Sequence, residues 1–301
     1  QSVTGNGHSL AMTAACAGMS PIAEINHKLS GLEATKELLR LDKELSDNAT
    51  LLSLTKQLEN LHEKFRNIPI ELLLIAEETN LKEMTVKIPK LWKINEEITE
   101  VNKNLTLANV RENRGEFWIA NTQVNFCAKA YPTVPSDHPD SAPLTVLGGF
   151  LRNGFLHRAI REQGGAYGGG ASQDSTIGAF RFFSYRDPRL SETLDDFDRS
   201  IHWVLQEKHD ESSLEQAILG VISTLDKPGS PAGDAKRHFH NQLCGRTHKF
   251  RENFRKKVLN VTLCDLRRVA ENYLKPELCS TAILSNSKNK DGNKAMIESL
   301  N

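Results

Sequence analysis

The residues best suited to chemistry lie in a short glycine-rich segment. Arg161 and Tyr167 bracket its first half, and five glycines surround the tyrosine within residues 164–170. A guanidinium and a phenol can donate hydrogen bonds to a peptide carbonyl or to a developing oxyanion. Glycines in a strand usually mark a place where another backbone comes close. That backbone is either a peptide added to the strand edge or a neighbour of a bulged internal strand beneath a helix.

A nucleotide site is not predicted from these glycines. The segment matches neither the Gly-x-Gly-x-x-Gly pattern nor the phosphate-binding loop, because no Gly-Lys-Ser/Thr follows it. It also follows a predicted helix and leads into a predicted strand, which reverses the order found in nucleotide-binding folds. A small-molecule binder that uses this loop is therefore the least favoured function.

Ten histidines raise the question of a catalytic metal. Zinc hydrolases often place two histidines and an acid on one helix, one turn apart. His62 and Glu63 begin such a motif, but Arg66 stands where the second ligand is needed. The inverted motif His-x-x-Glu-His is absent, and His238 and His240 fall on different faces of a helix. No metal site is predicted in this chain.

The overall composition is that of a globular protein. The 301 residues carry no formal net charge, 25% are charged and 39% are hydrophobic. These values argue against a disordered chain and against a basic nucleic-acid-binding arm. The most apolar run, residues 70–76, is far shorter than the ~20 residues that a membrane-spanning helix needs. We therefore predict neither nucleic acid nor membrane as a partner.

The cysteines are five in number, widely spaced and without a Cys-x-x-Cys pair. This pattern predicts reduced thiols and an intracellular soluble protein rather than a disulfide framework. They are Cys16, Cys127, Cys244, Cys264 and Cys279.

The first part of the chain is predicted to contain a strand and several helices. The small-residue run 8–17 is interpreted as a buried strand, and a chain that opens in this way is expected to be part of a longer one. Ser20, which precedes a proline, is a helix start. The helix is predicted to run to about residue 45, with a break near Gly31.

Asp47 or Asn48 is predicted to cap the next helix, which ends at Pro69 and is followed by a short strand at 70–75. Its apolar residues recur at steps of three and four and form one stripe. They are Leu51, Leu54, Leu58, Leu61 and Phe65.

The second part is predicted to be an α+β layer, with helices over one face of a mostly antiparallel sheet. A capping box is predicted from Ser212 to Glu215, and Thr262 to Asp265 is predicted to cap the last helix. The predicted elements are a strand at 117–131, a proline-rich loop at 132–143, a helix at 144–162, strands within 176–185, helices at 190–205, 212–225, 232–258 and from 262, and a strand at 280–284.

Two runs in the glycine region resemble a known family. IREQGGAYGGGA at 160–171, followed by FSYRDP at 183–188, resembles the C-terminal domain of the presequence-protease branch of the pitrilysin (insulinase-like) zinc metallopeptidases. The run SLAMTAACAGMSP at 9–21 resembles part of the preceding domain, and LDKP at 225–228 also fits the pattern. The resemblance implies an insulinase-like (LuxS/M16-like metallohydrolase) α+β fold.

Members of this family are clam-shaped. Two homologous halves, each with two α+β domains, enclose a chamber that takes unfolded peptides. The resemblance implies that the N-terminal half holds zinc and the general base, while an arginine and a tyrosine of the C-terminal half reach the substrate. Arg161 and Tyr167 match that pair, and their implied role is to hold the scissile carbonyl and stabilise the tetrahedral intermediate. The implied substrate-binding residues are Gly164, Gly165, Ala166, Gly168 and Gly169.

This sequence departs from the family in lacking the zinc motif. It is therefore interpreted as the C-terminal portion of such a protease. Residues 1–80 would be the latter part of the third domain and leave apolar surface exposed. Residues 81–115 would be a connector with a helical piece near Trp92, residues 116–286 the fourth domain, and residues 287–301 a polar tail.

The resemblance also implies partners and a location. The partners are the N-terminal half of the same protease, which binds the zinc, and peptide substrates; the chain alone is predicted to be inactive. Relatives occur in mitochondria, chloroplasts and bacteria, which implies an organelle matrix or the bacterial cytoplasm. The alternative function is that of a noncatalytic scaffold, because the same fold serves respiratory-complex core subunits.

Overall fold

The computed structural model describes residues 5–66, 71–92, 107 and 110–293. The chain divides into two compact units. One, here called the sheet unit, takes the described residues within 1–37, 108–226 and 252–301. The other, the helical unit, takes those within 38–107 and 227–251.

The sheet unit is built on a five-stranded mixed sheet with the order β1-β5-β2-β4-β3. β1 and β5 pair in parallel, whereas all other neighbours pair antiparallel. β3 has no further strand on its outer side among the described residues. The strands are β1 (Gly115–Ile119), β2 (Phe126–Pro132), β3 (Gly168–Asp174), β4 (Ala179–Tyr185) and β5 (Ser280–Ser285).

Helices make up most of the remaining regular structure. In chain order they are α1 (Gly7–Cys16), α2 (Pro21–Ser30), α3 (Leu32–Glu44), α4 (Asn48–Arg66), α5 (Glu78–Trp92), α6 (Ser141–Leu151), α7 (Ser191–Gln206), α8 (Glu211–Leu225), α9 (Pro231–Leu243), α10 (His248–Leu259), α11 (Leu263–Tyr273) and α12 (Ser287–Gly292). α6 continues directly into a π-helical segment, Arg152–Gln163.

Both faces of the sheet are buried. Side chains alternate along a strand, so Phe126, Ala128 and Ala130 of β2 face a cluster that includes α1. Cys127 and Tyr131 of the same strand face the larger cluster, which is formed with α6, α7, α8 and α11. The predicted α+β class with an antiparallel-dominated sheet is confirmed, and the helices of residues 116–286 form the layer on one face.

The predicted strand at residues 8–17 is wrong, because this run forms α1. Ala11, Ala14 and Ala15 are at most 1% exposed and recur at the three- and four-residue spacing of one helix face. Alanine has the highest helix propensity, and a helix of small side chains can lie close to a sheet. The alanines therefore indicate close helix–sheet packing rather than a strand.

The single strand predicted at 117–131 is two strands, β1 and β2. β5 lies between them, parallel to β1 and antiparallel to β2, so the chain must reverse direction after Ile119. A turn accomplishes this, with the Thr122 amide donating to the Ala120 carbonyl at 2.9 Å. The alternating pattern continues through the turn and therefore does not reveal it.

Several boundaries differ from the prediction. The helix predicted at 144–162 begins at Ser141, and that predicted at 232–258 is interrupted after Leu243, where Gly245 has φ +67°. The strand predicted at 70–75 is irregular over its described part, 71–75, and the polar tail is helical over Ser287–Gly292. Pro69, the predicted end of α4, lies outside the described residues.

Three of the predicted helix caps are confirmed and one is wrong. Ser20 caps α2 and Asp47 accepts from the Thr50 amide at 2.9 Å, as predicted. Thr262 caps α11 as predicted, and the structure shows a reciprocal capping box with Asp265. The box predicted at Ser212 is wrong, since Asp210 caps α8 by accepting from the Ser213 amide at 2.7 Å. Ser212 lies inside the first turn.

The helical unit carries exposed apolar side chains. The predicted stripe on α4 is present, and Leu58 and Phe65 are 56% and 57% exposed. Leu51 and Leu61 on the same helix are exposed as well. The expectation that residues 1–80 leave apolar surface uncovered is therefore met in the described part of that range. The predicted helical piece near Trp92 is α5.

Replacing Thr262 with alanine should lower the free energy of unfolding by about 1 kcal/mol, because the start of α11 loses its cap. Urea denaturation measures this difference. Thr224→Ala is the matched control, since the Thr224 hydroxyl only donates to the Gly220 carbonyl of its own helix. An equal loss in both variants would contradict the capping role.

Candidate functional site

The loop between the π segment and β3 brings the two predicted donors to one end of the outer strand. Arg161 lies in the last turn of the π segment, and Tyr167 directly precedes β3. The Gly165 amide donates to the Arg161 carbonyl and the Ala166 amide to the Ile160 carbonyl, both at 3.1 Å. The loop thus folds back onto the helical turn that carries Arg161.

Both donor side chains are accessible. Tyr167 is 69% exposed, and Arg161 is exposed as well. Among the described residues neither the guanidinium nor the phenol hydroxyl has a hydrogen-bond or ion-pair partner. The intervening Ala166 is only 3% exposed, so it anchors the loop between the two accessible groups.

An arginine lies directly beneath this loop. The Arg189 guanidinium donates from Nη2 to the Ala159 carbonyl at 3.1 Å and to the Asp196 carboxylate at 3.0 Å. A Cβ added to Gly164 would lie 1.9 Å from Arg189 Nη2. The same Cβ would lie 2.5 Å from the Ile160 carbonyl oxygen, so a side chain at 164 would meet both the guanidinium and the backbone.

The FSYRDP motif holds this arginine in position. The Asp187 side chain, fully buried, accepts from the Arg189 amide at 3.0 Å and from the Thr193 hydroxyl at 2.8 Å. Its backbone exchanges two hydrogen bonds with Asn125, at 2.7 and 2.9 Å. Burial raises the pKa of the Asp187 carboxyl. The motif is thus structural at Asp187, where it connects β2, the turn after β4 and the start of α7.

The Tyr167 ring packs against an aromatic neighbour. It meets Tyr185 edge-on, with centroids 5.6 Å apart and an interplanar angle of 85°. The Arg186 guanidinium lies 5.4 Å from the Tyr185 centroid, and Arg186 has φ 51°. His8 of α1 contacts the same tyrosine at a centroid distance of 4.7 Å. Burial lowers the pKa of His8.

Tyr185, Arg186 and His8 are neighbours of the site that were not predicted. The motif offered a signal for the first two, since it contains them. His8 offered none, because its run was interpreted as a strand. Its position depends on α1 packing against the sheet.

The glycines of β3 differ in what surrounds them. A Cβ at Gly169 would lie 2.8 Å from Ile160 Cγ2, so glycine there permits close packing of the π segment. A Cβ at Gly168 would meet nothing within 4 Å. Within the described sheet this strand lies at the edge, so the bulged internal strand is wrong, although a helix does pack closely on it.

The described residues do not fit a zinc ion. They contain no group of three or more His, Cys, Asp or Glu side chains that could hold a metal. His62 and Arg66 lie on α4, and His238 and His240 lie on α9.

The five cysteines are free thiols. Cys16 and Cys127 are buried, and this burial raises the pKa of each thiol to about 12. Among the helices described, none is both long enough and apolar enough to span a bilayer.

The family match and the curated relatives both point to presequence proteases. Residues 115–280 match the family described as the PreP C-terminal domain. The chain is 32% identical over 275 residues to a mitochondrial presequence protease of Yarrowia lipolytica, covering 89% of this chain and 27% of that protein. For the Kluyveromyces lactis presequence protease the identity is 30% over 293 residues, covering 94% and 29%. The chain thus spans about a quarter of the length of these relatives.

Solved structures with the same fold are more distant in sequence. A protease from Helicobacter pylori superposes with a TM-score of 0.53 at 15% identity, covering 69% of this chain and 53% of that one. The peptidase M16 inactive domain from Pseudomonas fluorescens gives 0.51 at 14% identity, covering 70% and 52%. These two likenesses concern the fold alone. The family match over residues 115–280 confirms the resemblance noted in the sequence to the C-terminal domain of presequence proteases: the chain belongs to the PreP C-terminal domain family.

Proposed function

We propose that this chain is the C-terminal, zinc-free half of a zinc metalloendopeptidase that degrades unstructured peptides in an enclosed chamber. Its contribution is to bind the peptide and to stabilise the oxyanion through Arg161 and Tyr167. The observation that carries the proposal is the pair of exposed donors, without partners among the described residues, at one end of an edge strand in a domain of this family.

The chemistry of the two donors suits a peptide carbonyl. Arg161 supplies a permanent positive charge and Tyr167 a hydroxyl, and both can donate to the carbonyl oxygen. As the carbonyl becomes tetrahedral its oxygen gains negative charge, so the same hydrogen bonds strengthen in the transition state. The loop is anchored at Ala166 and above Arg189, so the backbone that carries the two donors is held in place.

The outer edge of β3 is the proposed place for the peptide backbone. Strand addition needs an unpaired edge and room for a second backbone, and Gly168 leaves its flank open. Gly164, Gly165 and Ala166 shape the approach to this edge. Gly169 contributes indirectly, because it lets the π segment pack beneath the strand.

The zinc of the assembled enzyme is assigned to the N-terminal half. The names of the relatives as proteases and the share of their length outside this chain support that assignment. The described residues here do not fit the ion, so this chain's part is confined to binding and orienting the peptide. The mitochondrial names of the relatives favour an organelle matrix over the bacterial cytoplasm.

The chain of residues 1–301 alone should show no peptide cleavage, even with added zinc. Cleavage should return when the N-terminal half of the protease is supplied, because only then are zinc and donors together. A fluorogenic unstructured peptide reports the rate. Peptide cleavage by the isolated chain would contradict the assignment of the zinc to the N-terminal half.

In the assembled enzyme, Arg161→Ala and Tyr167→Phe should each lower kcat by roughly 10²- to 10³-fold, the effect of losing one oxyanion donor. Tyr167→Phe keeps the ring against Tyr185 and removes only the hydroxyl. Arg158→Ala is the control, because Arg158 is an exposed arginine of the same π segment outside the loop. Unchanged rates in both donor variants would favour the scaffold function instead.

Gly164→Ala should lower kcat of the assembled enzyme, whereas Gly168→Ala should leave kcat unchanged and raise KM, because its methyl group would lie where the peptide backbone is proposed to bind. The methyl group at 164 must displace Arg189 and the loop, whereas at 168 it meets open space. Steady-state kinetics and thermal unfolding of both variants make the comparison. A normal kcat for Gly164→Ala would show that the loop tolerates displacement and does not position the donors.

A further inference from the structure

The aliphatic stem of Arg152 lies against β3 at Gly170. A Cβ added to Gly170 would lie 3.4 Å from Arg152 Cγ, 3.3 Å from Arg152 Cδ and 3.5 Å from Phe183 Cε1. Phe183 is the partner of Gly170 on β4, and the side chains of paired residues point to the same face of a sheet. The Arg152 stem therefore covers the face of β3 that carries Phe183.

The backbone of Arg152 lies on the opposite face of the sheet. Arg152 begins the π segment, and Leu151 and Leu156 on either side of it belong to the buried cluster that contains Ala171. Ala171 follows Gly170 in β3, so their side-chain positions point to opposite faces. Because β4 pairs with β3 on its inner side, the Arg152 side chain reaches Gly170 around the outer edge of β3.

The outer edge of β3 is thus covered at Gly170 and open nearer to Tyr167. Gly170 is buried, whereas a Cβ added to Gly168 would meet nothing within 4 Å apart from its chain neighbours. Arg152 is exposed, and its guanidinium has no hydrogen-bond or ion-pair partner among the described residues. A long charged side chain across an edge strand hinders pairing with another strand, because the charge resists burial.

We propose that Arg152 is a stop for strand addition on β3. A bound peptide pairs with the edge between Tyr167 and Gly169 and meets the Arg152 stem at Gly170. Residues 167 and 170 lie about 10 Å apart along a strand, so the stop limits pairing to the part of the peptide next to the scissile bond. Arg152 is then a positioning residue that restricts the register of the peptide relative to Arg161 and Tyr167. The inference rests on the proposed function, because that function places the peptide on β3.

The test uses the assembled protease and a fluorogenic unstructured peptide with one cleavage site. Arg152→Ala should lower KM roughly fivefold, the effect of about one added hydrogen bond between the peptide and the strand. The value of kcat should stay unchanged, because the same donors contact the scissile carbonyl. An unchanged KM for this peptide would overturn the stop.

A series of peptides with one backbone N-methyl group, moved residue by residue, locates the added pairing. N-methylation removes a single backbone donor. The ratio of KM in Arg152→Ala to KM in the unmodified enzyme cancels the contacts that each peptide makes elsewhere. This ratio should return from about one fifth to about one for at least one methyl position three or more residues from the scissile bond. A ratio of one fifth at all of those positions would overturn the proposal.

Two matched variants separate the stem from the charge. Arg152→Lys keeps an aliphatic stem with a charged end and should keep the KM of the unmodified enzyme. Arg158→Ala removes an exposed arginine of the same π segment and should also leave KM unchanged. A fivefold lower KM in either of them would contradict the role of the Arg152 stem.

Arg161→Ala, measured in parallel, distinguishes failure of the stop from failure of the proposed function. If Arg161→Ala lowers kcat while Arg152→Ala leaves KM unchanged, the stop alone is wrong. If Arg161→Ala leaves kcat unchanged and Arg152→Ala leaves KM unchanged, the proposed function is contradicted together with the stop.

Discussion

The contact between Arg189 and the loop at Gly164 is the interaction on which the rest of the site depends. The guanidinium joins the Ala159 carbonyl to the Asp196 carboxylate and occupies the space beneath the loop. Asp196 is 3% exposed and also accepts from Arg199 at 2.9 Å. A buried carboxylate needs such partners, because leaving it unpaired costs far more than the pair gains. The same pairing ties the π segment to α7.

This constraint explains why the motif couples glycines to a distant Asp-Pro pair. Asp187 accepts hydrogen bonds from the Arg189 amide and from the Thr193 hydroxyl, and it thereby fixes the backbone position of Arg189. In this position the Arg189 guanidinium and the Ile160 carbonyl occupy the space that a side chain at residue 164 would need. The Tyr167 ring also packs edge-on against Tyr185, which belongs to the same motif. The two parts of the motif are thus two sides of one packed unit, with Arg161 and Tyr167 on its surface.

The sheet supports the glycine loop and the FSYRDP motif because β3 is its outermost described strand and both of its faces are covered. The outer edge of β3 therefore pairs with no other described strand, while α6 and the π segment support its face. Gly148 and Gly169 allow α6 and the π segment to lie close to β3. A Cβ at Gly148 would lie 3.0 Å from the Ala171 carbonyl oxygen. α1 covers the opposite face and brings His8 to Tyr185. A supported strand with one open edge is the structural basis of the proposed peptide site.

Local patterns in the sequence determined the α+β class and most helix starts, and they singled out Arg161 and Tyr167 as the proposed donors, because caps, apolar spacing and the glycine motif are short-range features. Ser20, Asp47 and Thr262 act as caps for reasons contained within three residues. Only the tertiary structure decided that residues 7–16 are a helix, that β5 separates β1 from β2, and that β3 is an edge of the described sheet. It also decided that the Arg189 guanidinium and the Ile160 carbonyl occupy the space of a side chain at 164. Each of these depends on contacts between segments far apart in the chain, and no local pattern encodes which segments meet.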